Sequence, residues 1–196
     1  MTQLSRREHL VDTALGLFQE SGFHSTGIDR ILNEAGVSKK TMYQHFHSKE
    51  ELIYAALRKY DSTFRNYYMN MIEKSGRTPR ERLMAMFDIT DEWMHSDRFY
   101  GCIFINAMGE YAQEDQTIRN ICKDFKHMLW RYIYKLSKEA GADNPNGLAN
   151  ELHLLIEGAI VTAHVSQNVG AGEIAKRIGE RCIAAYLDGD KKQDSR

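Results

Sequence analysis

Between Ser38 and Lys49 the chain carries Lys39, Lys40 and Lys49 and no acidic residue, interleaved with Thr41, Tyr43, Gln44, His45 and His47. Each of these side chains can donate a hydrogen bond to a phosphate oxygen or a base edge. The chemistry on offer is recognition, not bond making. A run of charge is more often a plain solvated helical face, so its weight depends on the elements that hold it.

Those elements are legible on either side. Ile28, Ile31, Leu32 and Ala35 repeat at helical spacing, and Gly36 stands where a left-handed C-cap is needed. Ser38 is placed to cap a second helix too short to be stable except by packing on its neighbours. Ser48, with Glu51 three residues on, forms a capping box that opens a third helix through Leu52, Ile53, Ala56 and Leu57. Thr26, with Asp29 three residues on, is predicted to cap the helix before Gly36. Two short helices joined by a tight turn, the second presenting polar and aromatic groups, form a helix-turn-helix pattern over about residues 27–46.

The run Val37-Ser38-Lys39-Lys40-Thr41-Met42-Tyr43-Gln44-His45-Phe46-His47-Ser48-Lys49-Glu50-Glu51-Leu52 resembles the DNA-binding signature of the TetR/AcrR family of bacterial transcriptional regulators. The likeness extends upstream through Gly22, Phe23, Thr26, Ile28, Ile31, Ala35 and Gly36, about the first third of the chain. Gly27 stands where Thr or Ser is usual, and Lys40 where Gly is frequent. The resemblance implies a regulator, most often a repressor, that binds a palindromic double-stranded DNA operator as a homodimer and is released by a small-molecule effector. Thr26, Ser38, Lys39, Lys40, Thr41, Tyr43, Gln44, His45 and Lys49 are the expected DNA-binding residues. By position, Lys49 and Tyr43 face phosphates, and Lys39, Lys40, Thr41 and Gln44 face base edges.

Composition narrows the alternatives. The 196 residues carry 26 Lys+Arg against 27 Asp+Glu, a net charge of -1, so any basic contact is a local patch and not a coat. The 3 Cys, at 102, 122 and 182, fit neither a disulfide framework nor a zinc pattern, which points to a reducing cytoplasm. The first residues, MTQLSRREHL, lack the apolar core of a signal peptide, and no apolar run is long enough to span a membrane. No nucleophile, P-loop or dinucleotide motif is present, so neither an enzyme nor a cofactor is expected.

With only 2 Pro and long periodic stretches, the fold class is all-α, with about nine helices in total. Residues 1–60 are expected as a three-helix DNA-binding domain, 61–188 as a helical effector-binding and dimerisation domain, and 189–196 as a charged, disordered tail. The first helix is read over Ser5–Glu20 with Leu10, Ala14, Leu17 and Phe18 inward. The helix from Ser48 meets no strong breaker before Gly76, a run of about 25 residues or roughly 40 Å, and is a candidate lever. Further helices are expected from Pro79 to about His95, Phe99 to about Ala112, Asp115 to Ala140, Leu148 to about Asn168 and Gly172 to Leu187, with a turn-rich link over Gly141–Gly147.

The aromatic and Met content of the second domain suits an adaptable apolar pocket. Helical phase nominates Phe64, Tyr67, Phe87, Cys102, Phe104, Asn106, Met108, Trp130, Tyr134 and His164, and an uncharged or weakly polar, partly aromatic effector. The last two helices are broadly apolar, which nominates Leu152, Ile156, Ala159, Ala163, Ile178 and Ala184 for a dimer seam. In the family resembled, those helices pair as a four-helix bundle. Phe99 to Ala107 resembles the Gly-Cys-x-x-x-Asn segment of many TetR-like ligand domains. Cys102 there reads as a packing residue among apolar neighbours, with oxidation or alkylation as an alternative switch. His45 and His47 lack further ligands at metal spacing, so no metal is expected. A helical protein-binding adaptor without operator recognition is the alternative function class.

Overall fold

The computed structural model describes residues 5–111, 115–168 and 170–188. Among these described residues the chain forms α1 (Arg6–Ser21), α2 (Ile28–Ala35), α3 (Lys39–His45), α4 (Lys49–Ser75), α5 (Pro79–Met94), α6 (Ile103–Tyr111), α7 (Gln116–Glu139), α8 (Pro145–Ser166) and α9 (Ala171–Asp188), with no strand. The all-helical expectation holds. The tail expected over 189–196 lies outside the described residues.

Side-chain caps begin several of the helices. Ser5 accepts from the Glu8 amide while Glu8 accepts from the Ser5 amide, and Thr78 and Glu81 do the same at α5, where Pro79 occupies the first turn. At α8 the Asn144 side chain accepts from the Gly147 amide and Pro145 follows it, so this helix starts earlier than Leu148, inside the stretch expected as a link. α6 starts later than Phe99, because Gly101 takes a positive φ of 76° and turns the chain just before it. Thr26 does not cap α2. Gly27 is the N-cap, and the buried Thr26 hydroxyl donates to the Gly22 carbonyl at 2.6 Å and the Leu17 carbonyl at 3.3 Å.

The chain divides into two compact units, one of Met1–Arg65 with Cys102–Asp124, the other of Asn66–Gly101 with Phe125–Arg196. A single cut at residue 60 does not describe this division, because α6 and the start of α7 group with the N-terminal helices. α4 and α7 each contribute residues to both units.

In the first unit the core is built from Leu10, Phe18, Phe23, Ile31, Met42, Leu52, Ile53, Leu57 and Phe104, all fully buried. Phe18 stacks on Phe23 at 5.0 Å between ring centres, and Tyr60 lies between Phe64 at 5.5 Å and Phe104 at 5.8 Å.

In the second unit Ile72, Leu83, Met86, Ile133, Leu136, Leu148, Leu152 and Ile183 are buried. α5 approaches α9 closely at two glycines: a Cβ on Gly179 would overlap the Phe87 ring, and one on Gly172 would overlap the Asp91 carboxylate. The buried Tyr68 hydroxyl is within 3.1 Å of the Met86 carbonyl and 2.9 Å of the Thr90 hydroxyl. No helix among the described residues is long and apolar enough to cross a membrane.

Candidate nucleic-acid interface

α3 has only seven residues, so its neighbours must hold it. Met42 is fully buried and Phe46, at the C-cap, nearly so; together they pin the inner face of the helix. The Arg7 guanidinium lies over the Phe46 ring at 4.9 Å. Gly36, left-handed at φ 61°, closes α2 by giving its amide to the Asn33 and Leu32 carbonyls, and this lets the chain turn directly into α3. Across the unit, His9 Nε2 lies 3.1 Å from the Ala35 carbonyl at that same turn.

With the inner face pinned, the outer face is open to solvent. Ser38, Lys39, Lys40, Tyr43, Gln44, His45 and His47 are exposed, and Thr41 is half-exposed. Ser38 accepts the Thr41 amide at 3.2 Å, and the two hydroxyls lie 2.9 Å apart, so both hydroxyls are partly committed to the start of α3. At the start of α4, Ser48 accepts the Glu51 amide at 3.3 Å while the Glu51 carboxylate takes the His47 amide at 2.8 Å, a capping box shifted by one residue. Lys49 is half-buried there, and burial pushes its ammonium below the usual lysine range, with Glu50 and Glu110 pulling it back up. Eight of the nine residues expected at DNA therefore share one accessible end of the first unit. Thr26, the ninth, is fully buried behind it.

The residues nominated for an effector fall in both units. In the first, Phe104 is fully buried and Cys102 nearly so, with Phe64, Asn106 and Met108 half-buried. In the second, Phe87 is buried against Gly179 and Tyr67 is 60% exposed. Trp130 and Tyr134 stack at 5.5 Å on α7 as a ladder with His127, and Trp130 Nε1 donates to Asn150 at 2.7 Å. His164 lies edge-on to Phe99 at 5.9 Å, against the bare Cα of Gly101.

Of the seam residues, Leu152, Ile156 and Ala159 are buried within the chain itself, so they are not free to meet another copy. Ala163, Ala184 and Ile178 keep partial exposure. Among the described residues of α8 and α9, the large apolar groups left bare are Leu154 at 73%, Val161 at 41% and Val165 at 74% on α8, with Ile174 and Ile178 on α9.

Glu110 is a residue that sequence reasoning missed. Its carboxylate holds the backbone between α1 and α2, 86 and 87 residues away, and no spacing rule reports such a contact.

Comparison with known proteins decides the family. A family model described as bacterial regulatory proteins, tetR family, matches residues 10–56. The transcriptional repressor KstR2 of Mycobacterium tuberculosis is 32% identical over 191 residues, 96% of this chain and 94% of its own. The chain belongs to the TetR family. This TetR-family member is accordingly a DNA-binding transcriptional regulator. Among solved structures, the regulator SCO4454 from Streptomyces coelicolor is 25% identical with a TM-score of 0.80, covering 94% of this chain and 95% of that one. The reduced form of NemR from Escherichia coli, at 21% identity, shares the fold with a TM-score of 0.82 over 90% of this chain and 95% of its own.

Proposed function

We propose that this TetR-family protein is a repressor that binds a palindromic operator as a homodimer and lets go when a small apolar or aromatic molecule binds. The observation that carries the reading is the division of α3 into a pinned face, Met42 and Phe46, and a donor-rich exposed face with no acid on it. One seven-residue helix makes too few base contacts for a specific site, so two copies are required, and their symmetry makes the operator an inverted repeat.

The bare stripe on α8 and α9, through Leu154, Val161, Val165, Ile174 and Ile178, supports pairing of two copies across those helices. The name of KstR2 as a repressor supports the sign of regulation. Effector release follows the family. A ligand loosens DNA binding only through its differential affinity for two states, and a typical coupling of about 1–3 kcal/mol weakens the operator complex roughly five- to 150-fold.

Selection of bound duplexes from a random-sequence pool, followed by gel shift and light scattering on the selected site, tests this directly. An enriched inverted repeat with half-site centres about one helical turn apart, bound by two copies, is the expected result. Selection that enriches no sequence would leave a protein-binding adaptor as the better description.

A further inference from the structure

The turn between α1 and α2 is stiffened from both sides. From inside, the Thr26 hydroxyl ties it to the Gly22 and Leu17 carbonyls, and Phe23 packs on Phe18. From outside, the end of α6 reaches it. Glu110 Oε1 accepts the Phe23 amide at 2.9 Å and Oε2 the His24 amide at 2.6 Å, while His24 Nε2 lies 3.1 Å from the Glu110 carbonyl.

The neighbouring ring completes the contact. Tyr111 stacks on His24 at 4.5 Å and meets Phe23 edge-on at 6.3 Å. Gly22 turns through a positive φ of 80°, and a Cβ there would lie 3.1 Å from Glu110 Oε1, so the carboxylate sits directly against the bend. A few residues further on, Tyr54 of α4 donates to Asp115, whose other oxygen accepts the Thr117 and Ile118 amides at 2.7 and 3.0 Å to open α7.

The His24 amide is at an exposed residue and water would satisfy it. At His24 the carboxylate is therefore not needed for hydrogen bonding alone, whereas at the fully buried Phe23 it supplies the acceptor. What it adds is a mechanical tie: two charge-assisted bonds from one rigid group to consecutive amides fix both position and orientation. α2 begins at Ile28, shortly after the held residues, and α3 is seated on α2 through the Gly36 turn. Among the described residues Glu110 hydrogen-bonds none of the donors on the reading face, and it acts on Lys49 only through its charge.

We propose that Glu110 is a positioning residue for operator recognition, latching the end of α6 to the α1–α2 turn so that the reading helix is presented in one orientation. The latch rests on the DNA-binding reading above.

The test uses the full chain and the duplex that the wild-type protein selects from a random pool. Glu110→Ala and the milder Glu110→Gln, which keeps one acceptor, are compared with Lys49→Ala by operator affinity at several salt concentrations and by hydrogen exchange at the Phe23 and His24 amides. For Glu110→Ala we expect faster exchange at those two amides and operator affinity lower by about tenfold, the weight of a charge-assisted hydrogen bond. The salt slope should stay at the wild-type value because no phosphate contact is lost. Glu110→Gln should fall between. Should Glu110→Ala fail to fold, the graded effect of Glu110→Gln on exchange and affinity carries the test alone. Wild-type affinity in a folded Glu110 variant, whether or not the amides exchange faster, would overturn the proposal, as would a reduced salt slope, which would mean that Glu110 acts on a phosphate contact. A wild-type protein that selects no duplex brings down the DNA reading itself, and that failure is seen before any variant is made.

Discussion

On α8, His153 Nε2 and Glu157 Oε1 lie 3.9 Å apart, both sealed from solvent and neither with a hydrogen-bond partner among the described residues, while Lys126 Nζ sits 2.5 Å from the other Glu157 oxygen. Burial pushes the His153 imidazole below its ordinary 6.5. Glu157 pulls it up and Lys126 adds to the downward push, and the net shift is down. The folded state thus favours neutral His153. Its contribution to stability is complete above pH 6.5 and is lost as pH falls through that value toward the lower folded one.

Thermal midpoints measured across pH 5 to 8 should therefore drop on the acidic side in the wild type. His153→Gln should flatten that part of the curve, and an identical acid limb in the two proteins would remove His153 as its source.

Thr26 offers a contrast between a residue inside the reading head and one upon its surface. Thr26→Val keeps the shape and deletes the bonds to Gly22 and Leu17, so unfolding free energy should fall by about 1 kcal/mol. Operator affinity, measured where both proteins are fully folded, should fall by less than in Glu110→Ala, because Glu110 still holds the Phe23 and His24 amides from outside. A reduced salt slope without a loss of stability would place Thr26 at the DNA after all.

At the reading face, Lys49→Ala should weaken binding to all sequences alike and reduce the salt slope by about one unit, the mark of a lost phosphate contact. Gln44→Ala should relax preference at one base position. Repeating the selection with each variant separates the two effects, and equal loss of preference from both would show that the division of labour between them is wrong.

The stripe on α8 can be charged without disturbing the interior. Leu154 is 73% exposed, so Leu154→Glu should leave the single chain folded and shift sedimentation from dimer to monomer, with operator affinity falling in step. A monomeric variant that binds the full operator as well as wild type would contradict the two-copy reading.

The reading head was open to sequence because its signals are local. Gly36, Ser38 and the Ser48 to Glu51 box each act within one turn of chain, and α2 and α3 end and begin where those residues stand. The same logic was present and overlooked at Asn144-Pro145, masked by the glycines around it. The seam was harder to see. Periodicity reports that α8 is apolar on several faces, but which of them turns inward depends on where α5 and α9 lie, and Leu152, Ile156 and Ala159 went to the interior. Thr26 looked like a cap by type and spacing, yet its hydroxyl found backbone carbonyls behind it. Glu110 lay beyond any local rule, since its partners are brought to it only by the fold.

Phe87 and Asp91 stand one turn apart on α5, and the glycines that receive them, Gly179 and Gly172, stand two turns apart on α9. Two pegs in two matched slots fix the helices along their axes as well as about them: sliding α9 by a single turn would drive a side chain of α9 into each peg. α5 and α9 therefore behave as one plank. A load applied to the outer edge of that plank, at Ile174 or Ile178, bears on α5 through the Phe87 and Asp91 side chains as well as through the backbone of α9.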